Sequence, residues 1–146
     1  MKRCLVMVLT VGFLVGADSP KKEAIKKELA RLQGTWVAIS VEENGRSLRP
    51  RLVRRAHITL TIAGNKFAFR SPRGDADGTL KIDPTQKPKW MDTVTEDKDK
   101  IRLGIYQLQG DTLTLCGGKE RPTAFKSSRN GPKVIVLQRE KKATSR

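Results

Sequence analysis

The stretch His57-Ile58-Thr59-Leu60-Thr61-Ile62-Ala63-Gly64-Asn65-Lys66-Phe67-Ala68-Phe69 decides the fold. Ile58, Leu60 and Ile62 recur at every second position, the period of a strand with one buried face. Gly64-Asn65 is a two-residue hairpin turn. Pairing across it sets Ile62 opposite Phe67 and Leu60 opposite Phe69, so all five apolar side chains share a face. A slip of one residue would turn that face outward, so turn chemistry and apolar pattern choose the same register.

The same logic extends in both directions. Upstream, Thr35 to Glu43 reads as a strand ending at Asn44-Gly45, a strong hairpin signal. Downstream, a loop from Gln109 to Thr112 sets Leu108 opposite Leu113 and Tyr106 opposite Leu115. Cys116 then falls on the other face, beside Ile105. Ile101 and Leu103 are out of phase with Tyr106 and Leu108, and Gly104 between them predicts a β-bulge. Further strands are expected at Gly78–Asp83, Lys89–Val94, Thr123–Ser127 and Lys133–Arg139. One helix precedes them all. Ser19-Pro20 opens it with a cap residue and a first-turn proline, Ile25, Leu29 and Leu32 form one apolar stripe, and Gly34 follows its end. The fold class is all-β: a small antiparallel barrel of about eight strands with one N-terminal helix.

Composition sets the compartment and the surface. The 146 residues suit one domain, and 30 Lys and Arg against 15 Asp and Glu give a net charge of +15. Two cysteines and one histidine exclude a disulfide scaffold and any zinc site built from several Cys and His ligands. Residues 1–17 read as a signal peptide: Lys2 and Arg3, then the apolar run Cys4 to Val15, then small residues before a cut after Ala17. The run is too short for a transmembrane anchor. The expected organisation is a leader at 1–17, a barrel domain with its helix at 18–140 and a basic tail at 141–146. The expected location is periplasmic or secreted, with no membrane span after cleavage.

Catalytic signatures are sparse. His57 and Cys116 are the obvious candidates for a dyad, but nothing in the sequence brings them together. No nucleophile elbow, phosphate loop or dinucleotide fingerprint occurs, so no cofactor and no enzyme activity are expected. Asp75-Ala76-Asp77-Gly78 starts like a calcium loop but lacks its later ligands, and reads as a turn. Charge is the stronger signal. Arg46, Arg49, Arg51, Arg54 and Arg55 crowd around Pro50 in what reads as an arginine-rich loop, a candidate contact for anionic partners. The leader and the scarcity of aromatics disfavour nucleic acid and favour an anionic polymer or lipid headgroups.

The first functional reading is a ligand site in the barrel interior, with the basic surface as the alternative. If Trp36 points inward, Ala38 and Ser40 follow it, and such small side chains leave room for a small apolar ligand. If Val37, Ile39 and Val41 point inward, the barrel is more nearly filled. The candidate lining is Ala38, Ser40, Leu60, Ile62, Phe67, Phe69, Tyr106, Leu108, Leu113 and Leu115.

An ordered set of motifs adds a resemblance. Leu32-Gln33-Gly34-Thr35-Trp36 resembles the opening of lipocalin and fatty-acid-binding-like barrels. Ile82-Asp83-Pro84-Thr85, Lys87-Pro88-Lys89, Gly104-Ile105-Tyr106, Gly110-Asp111-Thr112-Leu113, Arg121-Pro122-Thr123-Ala124-Phe125 and Leu137-Gln138-Arg139 follow in order. Together they resemble a family of small exported lipocalin-like domains known from planctomycete bacteria, over about Leu29 to Glu140. The resemblance implies a lipocalin-like barrel and carries no established activity. It also implies that Trp36 packs under Arg139 at the barrel floor as a structural pair. Trp90 departs from the pattern, since a smaller residue is expected there. It is either an exposed contact aromatic or a strand residue tucked under a loop.

Overall fold

The computed structural model describes residues 19–97 and 100–141. The leader at 1–17 and the tail beyond Lys141 lie outside the described residues. Helix α1 (Pro20–Leu32) is capped by Ser19, whose hydroxyl accepts the Lys22 amide. Nine strands follow: β1 (Gly34–Glu43), β2 (Arg46–Ser47), β3 (Thr59–Ala63), β4 (Lys66–Arg70), β5 (Ala76–Asp83), β6 (Lys89–Thr95), β7 (Ile101–Gln109), β8 (Thr112–Gly118) and β9 (Lys133–Arg139). β1 and β3 to β9 pair antiparallel in sequence order, and β1 closes on β9 to make an eight-stranded barrel. The short β2 pairs only with the end of β1.

Both deciding hairpins have the expected register. Ile62 faces Phe67, Leu60 faces Phe69, Leu108 faces Leu113, and Ile105 faces Cys116. Asn44 and Gly45 take positive φ, as their turn requires. Alternating strand direction places α1 and the turns at Gly64, 84–88 and Gly110 at one end, called here the floor. The opposite end is the mouth.

Several expectations need correction. First, a second helix, α2 (Pro50–Ala56), stands where an arginine-rich loop was expected, between β2 and β3 at the mouth. Pro50 starts it with a pre-set φ, and Val53 anchors it in the core. Second, β1 is kinked between Ala38 and Ser40, where its register on β9 shifts. The extra residue changes phase: Trp36 and Ala38 point inward, Val41 does too, and Ser40 is exposed. Third, Gly104 is no bulge, because β6 and β7 keep one register on both sides of it. A side chain there would meet the Met91 carbonyl at 2.7 Å, so only glycine lets the strands approach. Its amide donates to the Asp92 carboxylate, and its carbonyl accepts from Arg121. Fourth, Thr123–Ser127 is not a strand. It belongs to a long connection between β8 and β9 that crosses the outside of the sheet.

That connection follows one row of paired outward residues: Glu42, Val134, Cys116, Ile105 and Trp90. Arg121 holds it at one end, forking onto Asp92 at 2.7 and 2.8 Å and stacking 3.9 Å over Trp90. Phe125 packs on Ile105, Cys116 and Val134. Ser127 donates its hydroxyl to Glu42 and accepts the Gly45 amide. Trp90 is therefore a strand residue tucked under a loop.

Candidate functional site

The floor is built first by α1. Its stripe of Ile25, Leu29 and Leu32 packs on the barrel core. Trp36, fully buried, donates its indole N–H to the Leu32 carbonyl at 3.0 Å. The Arg139 guanidinium lies 4.2 Å over that indole. It donates to the carbonyls of Gln33 and Arg31 and to the Asp111 carboxylate. A cation at the carbonyl end of a helix meets the negative end of its dipole. Gly34, at φ +120, lets Arg139 pass, since a side chain there would press on the guanidinium.

Glu28 was not foreseen, although it lies on the Ile25–Leu32 stripe. It is buried under the barrel rim and accepts from Lys89 Nζ at 2.7 Å, Arg31 at 3.1 Å and the Tyr106 hydroxyl at 3.2 Å. Burial would raise its carboxyl. The Lys89 and Arg31 cations and the Tyr106 hydroxyl outweigh this and hold it below the usual range. Burial and the Glu28 charge push the Tyr106 phenol up.

The interior is occupied by side chains. Ala38, Leu60, Ile62, Phe67, Tyr106, Leu108 and Leu113 are buried in one cluster, with Phe69 and Leu115 half-buried against it. Leu32 enters that cluster from the floor and Val53 from the mouth. Small inward residues, such as Ala38, are met by larger ones. Two open grooves share residues with that cluster: Phe67 lines one, and Tyr106 and Leu108 line the other. A groove of about 290 Å³ lies beside Thr61, Ala68 and Glu96. Another, of about 470 Å³, runs between the Pro84–Lys89 loop, Gln107 and Phe125. Both open to solvent. Of the ten candidate lining residues, only Ser40 is exposed.

At the mouth, the five candidate arginines are all exposed. Arg46 sits in β2, and Arg49 is the residue before α2. Arg51, Arg54 and Arg55 stand three and four residues apart on α2, hence on one helix face. Val53, on the opposite side, is 1% exposed, so the arginine face is turned to solvent. Arg102 and Arg129 are likewise exposed with no carboxylate partner among the described residues, whereas five other arginines behave differently. Arg31, Arg70, Arg73, Arg121 and Arg139 each pair with a carboxylate. No carboxylate among the described residues pairs with any of the five at the mouth. Glu43, next to Arg46 across the hairpin, is taken by Arg73 and Lys133, which hold its carboxyl at about 2 against its partial burial.

The remaining sequence candidates disperse. Cys116 is buried under the β8–β9 connection, and its thiol donates to the carbonyls of Ala124 and Lys126. Burial pushes that thiol up, away from the reactive thiolate. His57 is the left-handed cap of α2 and is exposed. Asp75-Ala76-Asp77-Gly78 is not a turn: Ala76, Asp77 and Gly78 belong to β5, and Asp75 and Asp77 both pair with Arg70. The arrangement with unsatisfied chemistry is the mouth: several guanidiniums, exposed and unpaired, on a short helix pinned from beneath. Such a face can fork onto phosphate or carboxylate groups. No protein-family model matches the chain, and no curated protein matches it closely enough to count as a relative.

Proposed function

We propose that this protein is an exported, lipocalin-like interaction module that holds an anionic surface or polymer through the arginine face of α2. The single observation that carries this reading is the unpaired set Arg51, Arg54 and Arg55, opposite the buried Val53. Like charges at these spacings repel by about 0.2–0.5 kcal/mol per pair, and an anion would relieve that repulsion. The large side chains clustered inside the barrel favour this reading over the other one, a small apolar ligand within the barrel. The basic surface also suits the exported compartment that the leader implies.

The test is titration with inorganic polyphosphate at low salt. Wild type is expected to bind, with affinity falling steeply as salt rises. Reversing Arg51, Arg54 and Arg55 to Glu is expected to cost about tenfold more affinity than reversing the exposed Lys22, Lys26 and Lys27 of α1, a charge-matched control. Equal losses would reduce the effect to net charge, and no binding by wild type would end the reading.

A further inference from the structure

The mouth carries more than charge. Leu52 of α2 is 53% exposed, and Ile101 at the start of β7 is 61% exposed, among the largest apolar exposures described. Val94, the cross-strand partner of Ile101, is also exposed. Chain direction places α2, the end of β6 and the start of β7 at the same end of the barrel. Val94 stands between Thr93 and Thr95, whereas Leu52 and Ile101 have cations beside them. Leu52 follows Arg51, and Ile101 stands between Lys100 and Arg102, both exposed.

Apolar side chains set among cations are the composition of a surface that lies in a membrane interface. The cations meet lipid phosphates while the apolar groups enter the boundary beneath them. A soluble polyanion would use the cations and leave Leu52 and Ile101 in water. α2 contacts β1, and β6 and β7 lie across the barrel from it, so the two apolar groups mark opposite sides of one rim. From this rim we infer that the mouth end rests on an anionic lipid bilayer, with Leu52 and the Val94–Ile101 pair at the depth of the headgroups. Charge complementarity selects an anionic leaflet. Glu96 and Asp97, on the turn beside Ile101, offset the cations of that hairpin, so the arginines of α2 supply most of the attraction. The inference rests on the arginine-face reading and names its target.

The experiment uses the full chain, vesicles of mixed phosphatidylglycerol and phosphatidylcholine, vesicles of phosphatidylcholine alone, and inorganic polyphosphate. Wild type is expected to bind the anionic vesicles and not the neutral ones. The double variant Leu52→Ser, Ile101→Ser is expected to lose about fivefold or more in vesicle affinity while its polyphosphate affinity stays unchanged. Both positions are solvent-exposed, so folding is preserved, and the unchanged polyphosphate binding reports it. In a separate variant, Leu52→Trp, emission is expected to shift to the blue on anionic vesicles and to be quenched by brominated lipid. Undiminished vesicle binding by the double serine variant, or an emission unmoved by vesicles, overturns the bilayer assignment and leaves polyanion binding standing. Failure of wild type to bind both polyphosphate and anionic vesicles removes the arginine-face reading itself.

Discussion

The two ends of the barrel are closed by opposite means. At the floor, the buried and half-buried charged groups are shared among several partners. Arg139 spans an indole, two carbonyls and a carboxylate, and Glu28 is shared among a lysine, an arginine and a phenol. At the mouth, one valine seats a seven-residue helix whose arginines have no carboxylate among the described residues. Polar side chains that fully satisfy one another fix a structure. Cations held unsatisfied on a surface remain available to something else. The difference separates an end held by its own polar contacts from the one proposed to interact, although both are rich in arginine.

The largest effect should come from breaking the floor. Trp36→Ala is expected to cost about 3–5 kcal/mol in chemical denaturation, because it deletes a buried aromatic together with the platform for Arg139. If the variant unfolds at the wild-type midpoint, the floor is not the structural end.

Acid should weaken the fold next. The Glu28 and Glu43 carboxyls are depressed in the folded state, Glu43 to about 2. A depressed carboxyl contributes stability that is fully present above its unfolded value and lost as pH falls towards the folded one. Stability is therefore expected to decline from about pH 5 down to pH 2. In Glu28→Gln that decline should be shallower, since the floor group no longer titrates. An identical acid limb in wild type and variant would show that Glu28 takes no part.

The smallest effect on stability should be at the mouth. Replacing Arg51, Arg54 and Arg55 with Ala is expected to leave stability within about 0.5 kcal/mol of wild type, the usual range for exposed positions. Thermal melting in the absence of any polyanion checks this. A large loss would mean that the arginines hold α2 in place, and the contrast between the ends would collapse.

The parts of the fold legible in the sequence are those where two local signals agree. Ile58 to Phe69 and Tyr106 to Cys116 each combine a turn with an apolar alternation that admits one register, and both registers are found. Where only one signal exists, it misleads. Thr123 to Ser127 alternates like a strand, yet it is bound through Ser127 and the Arg121 fork as a strap over the sheet. Gly104 was read as a phase break, but its requirement is tertiary: the backbone of β6 and the Asp92 side chain press against it. The kink after Ala38 depends on how β1 meets β9, about a hundred residues away, and no local signal reports it. At the candidate site the arginines were visible, but their helix was not. Seven residues with an arginine at the cap position and one buried valine have no apolar period; Pro50 was the one clue.

Closure of β1 on β9 has a consequence for when this protein can fold. Trp36 lies near the start of the domain, and Arg139 belongs to its last strand. A nascent chain can form the two central hairpins as they emerge, since their contacts are local. It cannot complete the floor until the final strand has been made, so the longest-range contacts must come last and assembly is expected to be slow. Until then the chain is a set of loosely associated hairpins with an open seam. An open seam leaves the edges of β1 and β9 unpaired, so until it closes they are free to pair with other chains.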